Sequence, residues 1–275
     1  MKQYGILAYP AGHSLSPAMH NAAFKALGID AQYGVFEIPE DGLAEFMEQV
    51  KHEPVDGLSV SLPYKEAVIK CLDFLDEDAE KIGAVNTVLN KGGFLWGYNT
   101  DFSGAVRAMA EGAGSLSGKT VVVLGAGGAA RAIAYGLLKD SARVFIKNRT
   151  IEKADKIAAE FSGMFGTEVI SIPWDDNRGG DILINATSVW ANNPNPEELP
   201  DFCHKDFVGS FGVVMDISYG KGGEGFLTPL LKIAESLGKT VIAGDKMLLY
   251  QAVEQFKIWT GKEAPLEVMR TALTA

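Results

Sequence analysis

Residues 119–150 read KTVVVLGAGGAARAIAYGLLKDSARVFIKNRT. An apolar run, Thr120–Leu124, meets a glycine-rich turn, Gly125-Ala126-Gly127-Gly128-Ala129-Ala130, and a helical pattern follows. A second apolar run, Ala142–Ile146, ends in Lys147-Asn148-Arg149-Thr150. Strand, helix and strand in this order, with G-x-G-x-x-A at the first turn, make the unit that binds dinucleotides. The glycines let the backbone turn tightly and approach a pyrophosphate, which sits on the N–H groups of the helix start. Gly and Ala in such a run also serve close helix–strand packing. The strand before, the helix after and an Arg at the right distance favour the dinucleotide.

The type of dinucleotide follows from the end of the second strand. A carboxylate placed ~20 residues after the glycines holds the ribose 2′-hydroxyl of NAD. Residues 141–151 contain no Asp or Glu; instead Arg149 stands at the strand end, with Lys147 and Lys153 nearby. A guanidinium offers a planar fork suited to a phosphate. The expected cofactor is therefore NADP, with Arg149 on its 2′-phosphate. The pair Tyr135 and Lys139 mimics the Tyr/Lys pair of short-chain dehydrogenases, but it lies too early in the unit for that role. It reads as a packed Tyr and a solvated Lys.

Bulk properties narrow the class. The chain has 275 residues, of which 47% are hydrophobic, enough for a large core in one or two domains. The formal net charge of −10 and the absence of a basic run speak against nucleic acid. Two cysteines, Cys71 and Cys203, make no disulfide framework, so a reducing compartment is expected. No apolar run approaches the ~18 residues of a membrane span, and Met1-Lys2-Gln3-Tyr4-Gly5 lacks a signal-peptide pattern. The reading is a cytoplasmic protein with no membrane partner.

More than a hundred residues precede the glycine turn, and they alternate strand and helix patterns. Strands are expected at Tyr4–Tyr9, Gln32–Ile38 and Gly57–Leu62, and a hairpin at Ala84–Leu89 and Phe94–Tyr98 around Asn90-Lys91-Gly92-Gly93. A helix opens at Ser16-Pro17, with Ser16 as N-cap. Helical patterns also cover Gly42–Lys51, Tyr64–Leu72 and Asp76–Ile82. Gly112–Gly118 resembles a linker. Beyond Thr150 come helices at Glu152–Phe161 and Thr228–Leu237 and strands at Asp181–Ala186, Val213–Ile217 and Thr240–Ala243. Residues 187–211 read as a long loop, and Asp245–Thr260 and Pro265–Leu273 as closing helices. The fold class is α/β: an N-terminal α/β domain, 1–101, then a doubly wound parallel-sheet domain, 102–237, then a C-terminal segment, 238–275.

Hydride transfer to a carbonyl needs a proton donor beside the nascent alkoxide. Metal is not expected: His13 and His20 are seven apart, and Cys203-His204 is isolated, so no ligand spacing appears. Lys65 follows a strand and a Pro-fixed turn, and Asp101 sits where the first domain hands over to the second. They could meet in a cleft between domains. From the residues by themselves the plainer reading is that each is an ordinary charge, Asp101 serving as N-cap of a helix at 102–111.

The motifs together resemble the shikimate dehydrogenase family over essentially the whole length. In order they are His13-Ser14-Leu15-Ser16-Pro17 with His20-Asn21, Pro63-Tyr64-Lys65, Gly83 to Asn86-Thr87, Asn99-Thr100-Asp101, the glycine turn, Asn148-Arg149-Thr150, Asn185 to Ser188, Thr228-Pro229-Leu230-Leu231, and Met247-Leu248 through Gln251. The resemblance implies reversible NADPH-dependent reduction of 3-dehydroshikimate to shikimate. It also implies two α/β domains with the active site between them, and C-terminal helices returning to the first domain. By the same implication Lys65 protonates the developing alkoxide. Asp101 positions the substrate hydroxyl and acts on Lys65 through their shared charge. Ser14 and Ser16 hold the substrate carboxylate; Ser61, Asn86, Tyr219 and Gln251 contact the rest of the ring. The cofactor falls to Gly125, Gly127, Gly128, Ala129, Asn148, Arg149, Thr150, Lys153, Thr187, Gly244 and Met247. The assembly implied is a monomer or a homodimer.

Four departures from the family pattern stand out. Ser59 and Ser61 replace Asn and Thr. Trp190 stands where Gly-Met is usual, near the expected nicotinamide. Tyr219 precedes Gly-Lys-Gly-Gly-Glu-Gly-Phe and not the usual Asn-Pro. Lys246 replaces the second Gly of Gly-x-Gly-Met-Leu. Ser61 and Trp190 motivate a competing reading, a paralogue that also oxidises quinate. A dinucleotide sensor without catalysis is the reading from a different class, which fold by itself does not exclude.

Overall fold

In the computed structural model the first strand, β1 (Lys2–Ala8), sits second from one edge of a six-stranded sheet. The structure describes residues 1–12, 14–190, 199–220 and 226–274. Two compact units divide the chain: Met1–Gly104 with Leu248–Ala275, and Ala105–Met247.

The first unit's sheet also contains β2 (Ala31–Glu37), β3 (Gly57–Val60), β4 (Phe74–Leu75), β5 (Thr87–Lys91) and β6 (Phe94–Tyr98), in the order β2-β1-β3-β5-β6-β4. β1 pairs in parallel with β2 and β3, whereas β5 runs antiparallel to both β3 and β6. The β5–β6 hairpin closes on Gly92 and Gly93, both at positive φ, as a two-residue turn of the right twist requires. Helix α1 (Ser16–Ala26) secures edge strand β2: the Asn21 carboxamide donates to the Tyr33 carbonyl and accepts from its N–H, at 2.9 and 2.8 Å. Leu7, Leu58, Val60 and Val88 of the sheet bury against Met47 and Val50 of α2 (Leu43–His52). A short helix, α3 (Glu77–Ile82), is capped by Asp76 and stopped by Gly83 in the left-handed conformation.

The second unit's sheet is wholly parallel. Its strands are β7 (Thr120–Leu124), β8 (Arg143–Lys147), β9 (Ile170–Ile172), β10 (Ile182–Asn185), β11 (Val213–Asp216) and β12 (Thr240–Ile242), in the order β12-β11-β10-β7-β8-β9. The chain runs outward from β7 to β9, then returns to β10 and runs outward the other way. Strand order therefore reverses between β7 and β10, the doubly wound pattern. Val122 and Leu124 join Phe145, Leu183 and Val214 in one core with α7 (Lys205–Gly209) and α8 (Pro229–Ser236). Val121 and Val123 alternate onto the opposite face, where α5 (Gly128–Lys139) and α6 (Ile151–Phe165) contact the sheet. Tyr135 of α5 packs on Phe161 and Phe165, and exposed Lys139 lies over its ring.

Several expectations are corrected. Ser16 is the first helical residue of α1, and Leu15 holds the N-cap position; the Ser14 hydroxyl accepts the Ser16 N–H instead. Within 64–72 only Ala67–Cys71 is helical, as a 3-10 turn. Part of the expected loop at 187–211 is ordered as a 3-10 turn, Asp201–Cys203, and α7; residues 191–198 lie outside the described residues. β12 pairs with β11, so the second unit runs on to Met247 and does not stop at 237. Helix α4 (Asp101–Ala113) begins at Asp101 itself and includes Gly112. Among the described residues no helix is long and apolar enough to cross a membrane.

His20 of α1 is fully buried, stacked on Tyr33 at 4.7 Å and flanked by Trp259. Neither ring nitrogen has a hydrogen-bond partner among the described residues. Burial lowers its pKa to about 3, and Gln255 lies near enough to oppose the shift without closing a hydrogen bond. The folded state thus holds a neutral ring, while the unfolded chain protonates near the ordinary value of ~6.5. The stabilisation from neutrality is complete above that value and is lost as pH falls from it toward 3. The slope is about 1.4 kcal/mol per pH unit. Denaturant unfolding at pH 7 and 5 should show wild type losing about 2 kcal/mol more than His20→Phe. Equal losses would contradict this account.

Candidate active site

The polar residues of the first unit converge on Asn86. Its Nδ2 donates to Thr100 Oγ1 at 2.9 Å and to Asp101 Oδ1 at 2.8 Å, and approaches Gln251 Oε1 at 3.4 Å. Its Oδ1 accepts from the Thr100 N–H and the Thr87 hydroxyl, both at 2.8 Å. The backbone on either side is tied in as well: Val60 donates to the Asn86 carbonyl, and Asn86 donates to that of Tyr98. An amide with two donors and an acceptor is the side chain that can bridge these groups at one point.

Asp101 is 4% exposed and takes its second partner from Lys65, whose Nζ lies 2.6 Å from Oδ2. Lys65 comes off a turn after β3 in which Tyr64 N–H donates to the Ser61 carbonyl, and the Lys65 carbonyl accepts from Val85. Asp101 is thereby held between Lys65 and Asn86. Asn99 fixes the start of α4: its Oδ1 accepts the Asp101 N–H at 3.0 Å, and its Nδ2 donates to the Ala84 carbonyl. The Asp101 carboxylate is occupied by Lys65 and Asn86, so the alternative of an ordinary N-cap charge does not hold.

Helix α9 (Gly244–Thr260) presents a polar stripe at four-residue spacing. Gln251 meets Asn86, Gln255 Nε2 donates to the Asn86 carbonyl at 3.0 Å, and Trp259 Nε1 donates to the Val88 carbonyl at 2.9 Å. Gly57 permits this approach, since a Cβ there would lie 2.6 Å from the indole nitrogen. Ser59 is accounted for by the same stripe. Its hydroxyl donates to Gln255 Oε1 and accepts from Tyr33, whose phenol occupies space that a longer residue at 59 would need. Asn99, Gln255 and Tyr33 were not picked out as site residues from sequence. Asn99 and Gln255 carry local signals, an Asn two residues before the Asp and a Gln one turn after Gln251; Tyr33 carries none. Ser16 is buried at the start of α1, Ser14 and Ser61 are half-buried, and His13 lies outside the described residues.

The second unit carries the features of a dinucleotide site. Gly125 has φ +109°, and a Cβ there would sit 3.0 Å from the Ala186 carbonyl oxygen. Gly127 is exposed with open space around it, directly before α5, whose first turn holds no acidic residue and no side-chain cap. Gly128 is buried in the first turn and Ala129 half-buried beside it. A pyrophosphate fits such a helix start. Arg149, Thr150 and Lys153 are exposed, and Asn148 closes the β8–α6 bend by donating to the Thr150 carbonyl. Lys147 does not join them. It is 2% exposed, its ammonium lying over Phe207 and Trp174 and donating to the Asp176 carbonyl at 2.6 Å. Burial lowers its pKa, against the pull of Asp176, Asp175 and Asp201.

Thr187 donates to Asn185 Oδ1, and Tyr219 is half-buried three residues beyond β11. Gly244 is required by packing, because a Cβ would lie 2.3 Å from the Ile217 carbonyl oxygen; Met247 is buried near the start of the same helix. Lys246 pairs with Glu111 at 3.4 Å. Trp190, expected near the nicotinamide, is buried and donates to Asp216 Oδ2 at 2.7 Å. Among the described residues no group of His, Cys, Asp or Glu could hold a metal ion.

Three family models match the chain: the shikimate dehydrogenase substrate binding domain at residues 6–88, shikimate/quinate 5-dehydrogenase at 107–218, and the shikimate 5'-dehydrogenase C-terminal domain at 246–274. The shikimate dehydrogenase (NADP(+)) of Haloarcula marismortui is 44% identical, with 99% of this chain and 98% of that protein covered. That of Pyrococcus furiosus is 45% identical, with 100% and 96% covered. The chain belongs to the shikimate dehydrogenase family. Among solved structures, a shikimate dehydrogenase in complex with NADP+ superposes with a TM-score of 0.90 at 40% identity, covering 99% of this chain and 94% of that one. The 5-ketofructose reductase of Gluconobacter sp. strain CHM43 superposes at 0.84 with 35% identity, covering 99% and 97%. The shikimate dehydrogenase fold thus also serves a reductase of a different name.

Removing the Asn86 carboxamide leaves the Thr100 N–H and one Asp101 oxygen without their partner. Asn86→Ala should lower stability by about 1–3 kcal/mol in denaturant unfolding. A variant as stable as wild type would show that Asn86 does not organise the site.

Proposed function

We propose that the protein catalyses the reversible NADPH-dependent reduction of 3-dehydroshikimate to shikimate. The observation that carries this reading is the Lys65–Asp101 ion pair held by Asn86, which Gln251 also approaches, in a chain whose relatives are NADP-dependent shikimate dehydrogenases. Reduction of a ketone needs a hydride at carbon and a proton at oxygen. NADPH, when bound, supplies the hydride. Lys65 gives its proton to the carbonyl oxygen as that oxygen becomes a hydroxyl, and it takes the proton back in the oxidative direction. Asp101 holds the Lys65 ammonium in place and accepts a hydrogen bond from a ring hydroxyl.

The substrate is an anion, and the chain is acidic overall. Local donors must therefore bind the carboxylate. Ser14 and Ser16 supply hydroxyls at the start of α1, where the helix N-terminus adds favourable potential. Ser61, Asn86, Gln251 and Tyr219 are the neutral polar groups for the ring hydroxyls; a ligand that leaves them unpaired is penalised. On the cofactor, the glycine turn takes the pyrophosphate and Arg149, with Asn148, Thr150 and Lys153, the 2′-phosphate. Thr187, Gly244 and Met247 serve the remaining half.

Oxidation of quinate is a second reading, favoured by Ser61, which keeps a hydroxyl but lacks the methyl of Thr. Absorbance of NADPH on addition of 3-dehydroshikimate tests the main reading. Steady-state rates with shikimate, quinate and 5-ketofructose as substrates, using NADP(H) and NAD(H), separate the alternatives. Turnover with quinate or 5-ketofructose but none with shikimate would overturn the proposal. Lys65→Ala should lower kcat by about 10²–10⁴ with little change in substrate affinity; near-wild-type turnover would refute the proton-donor role. Arg149→Ala should raise KM for NADPH by about 10–100-fold and leave KM for NADH unchanged. Equal effects on both cofactors would remove Arg149 from the 2′-phosphate.

A further inference from the structure

A carboxylate that the proposed mechanism does not use lies at the carboxyl edge of the second unit's sheet. Asp216, the last residue of β11, is fully buried. Its Oδ2 accepts from Trp190 Nε1 at 2.7 Å, Thr228 Oγ1 at 2.8 Å and Asn185 Nδ2 at 3.1 Å, and its Oδ1 accepts the Ser218 N–H at 3.0 Å. None of these four donors is a cation. Burial raises the pKa of the carboxyl, and the four hydrogen bonds oppose the shift.

The donors come from three separate segments. Asn185 ends β10 and is the register partner of Asp216. It also fixes the next residues, accepting from the Thr187 N–H and hydroxyl at 3.1 and 2.7 Å. Ala186 and Thr187 in turn border the glycine turn, within 3.0–3.3 Å of where a Gly125 Cβ would lie. On the other side, Ile217 donates to the Asn185 carbonyl, and the Ile217–Ser218 backbone is pressed against Gly244. Thr228 caps α8. One carboxylate therefore sets the path of the chain as it leaves both β10 and β11.

Topology says what lies over these ends. Ligands of a doubly wound sheet bind outside the carboxyl ends of the strands, across the point where strand order reverses. Here that point lies between β7 and β10. The glycine turn follows β7, and Arg149 follows β8, so the 2′-phosphate half extends to the β8 side. The nicotinamide half extends to the β10–β11 side.

We propose that Asp216, through its donors Trp190 and Thr228, is a positioning residue for the nicotinamide half of the dinucleotide. The proposal rests on the reading of this unit as NADP-binding. A buried anion without a cation is costly to hold, and a network of this kind gives a fixed geometry where a purely apolar core would leave the segments free to shift. Trp190, a departure from the family pattern, is thereby assigned: it packs edge-on to Phe202 and supplies the third donor to Oδ2.

The test separates the two halves of the cofactor. Trp190→Phe removes the N–H and keeps an aromatic ring; Thr228→Val removes the hydroxyl, and Thr228→Ser keeps it. Calorimetry with NADPH and with adenosine 2′,5′-bisphosphate reads binding without turnover, and thermal melts identify the folded variants. Trp190→Phe and Thr228→Val should each raise the Kd for NADPH about tenfold, leave that for adenosine 2′,5′-bisphosphate within about twofold, and Thr228→Ser should bind as wild type. Unchanged NADPH affinity in folded Trp190→Phe would overturn the proposal. Equal weakening of both ligands would also overturn it, assigning the network to the unit's general stability. Wild-type protein that binds neither ligand would overturn the NADP reading itself, and this proposal with it.

Discussion

The carboxamide of Asn86 is the constraint on which the first unit's site depends. Its two donor hydrogens and its oxygen are all engaged, and together the bonds reach three parts of the chain: Thr100 and Asp101 at the start of α4, the neighbouring Thr87 and helix α9. Asn86 takes one oxygen of Asp101, which leaves the other for Lys65, while Asn99 holds its backbone N–H. The polar stripe of α9 then seats on the same strand backbone. A site built this way resists local rearrangement, since shifting any member unpairs a buried polar group.

The two units handle a buried carboxylate in different ways. Asp101 is met by a cation and an amide; Asp216 is met by four neutral donors. The first arrangement sets an ammonium donor next to the carboxylate, the pairing that the proposed acid–base chemistry uses. The second offers no proton to exchange and serves geometry alone. Cys203, close to Asp216, is pushed up to about 12 by burial and by the negative charge of Asp216, so its thiol is inert at neutral pH.

Much of this was legible in sequence for identifiable reasons. The β7–α5–β8 unit was readable because apolar runs, glycines and the missing carboxylate are local signals. Of the short elements, β12 is legible as an apolar run, but β4, with two residues, and β9, with three, carry too little for a period to register. Ser16 looked like an N-cap, yet α1 starts at Ser16 because Pro17 tolerates either of the first two helical positions. Lys147 carries a signal of its own. Strand alternation puts it on the same face as Phe145, which belongs to the core, so its side chain points inward and not toward Arg149. The burial of Trp190 was not readable, because its partner Asp216 lies 26 residues away with no pattern linking them.

The claim at the centre of this account is that Lys65 and Asp101 act as one proton-transferring unit. A double-mutant cycle in NADPH oxidation with 3-dehydroshikimate tests it, using Lys65→Met, Asp101→Asn and the combined variant. Groups that act together lose their effect once either is gone. The expected result is a combined variant no slower than the slower of the two single variants. Rate losses that multiply would contradict the account, because they would mean the two residues contribute independently.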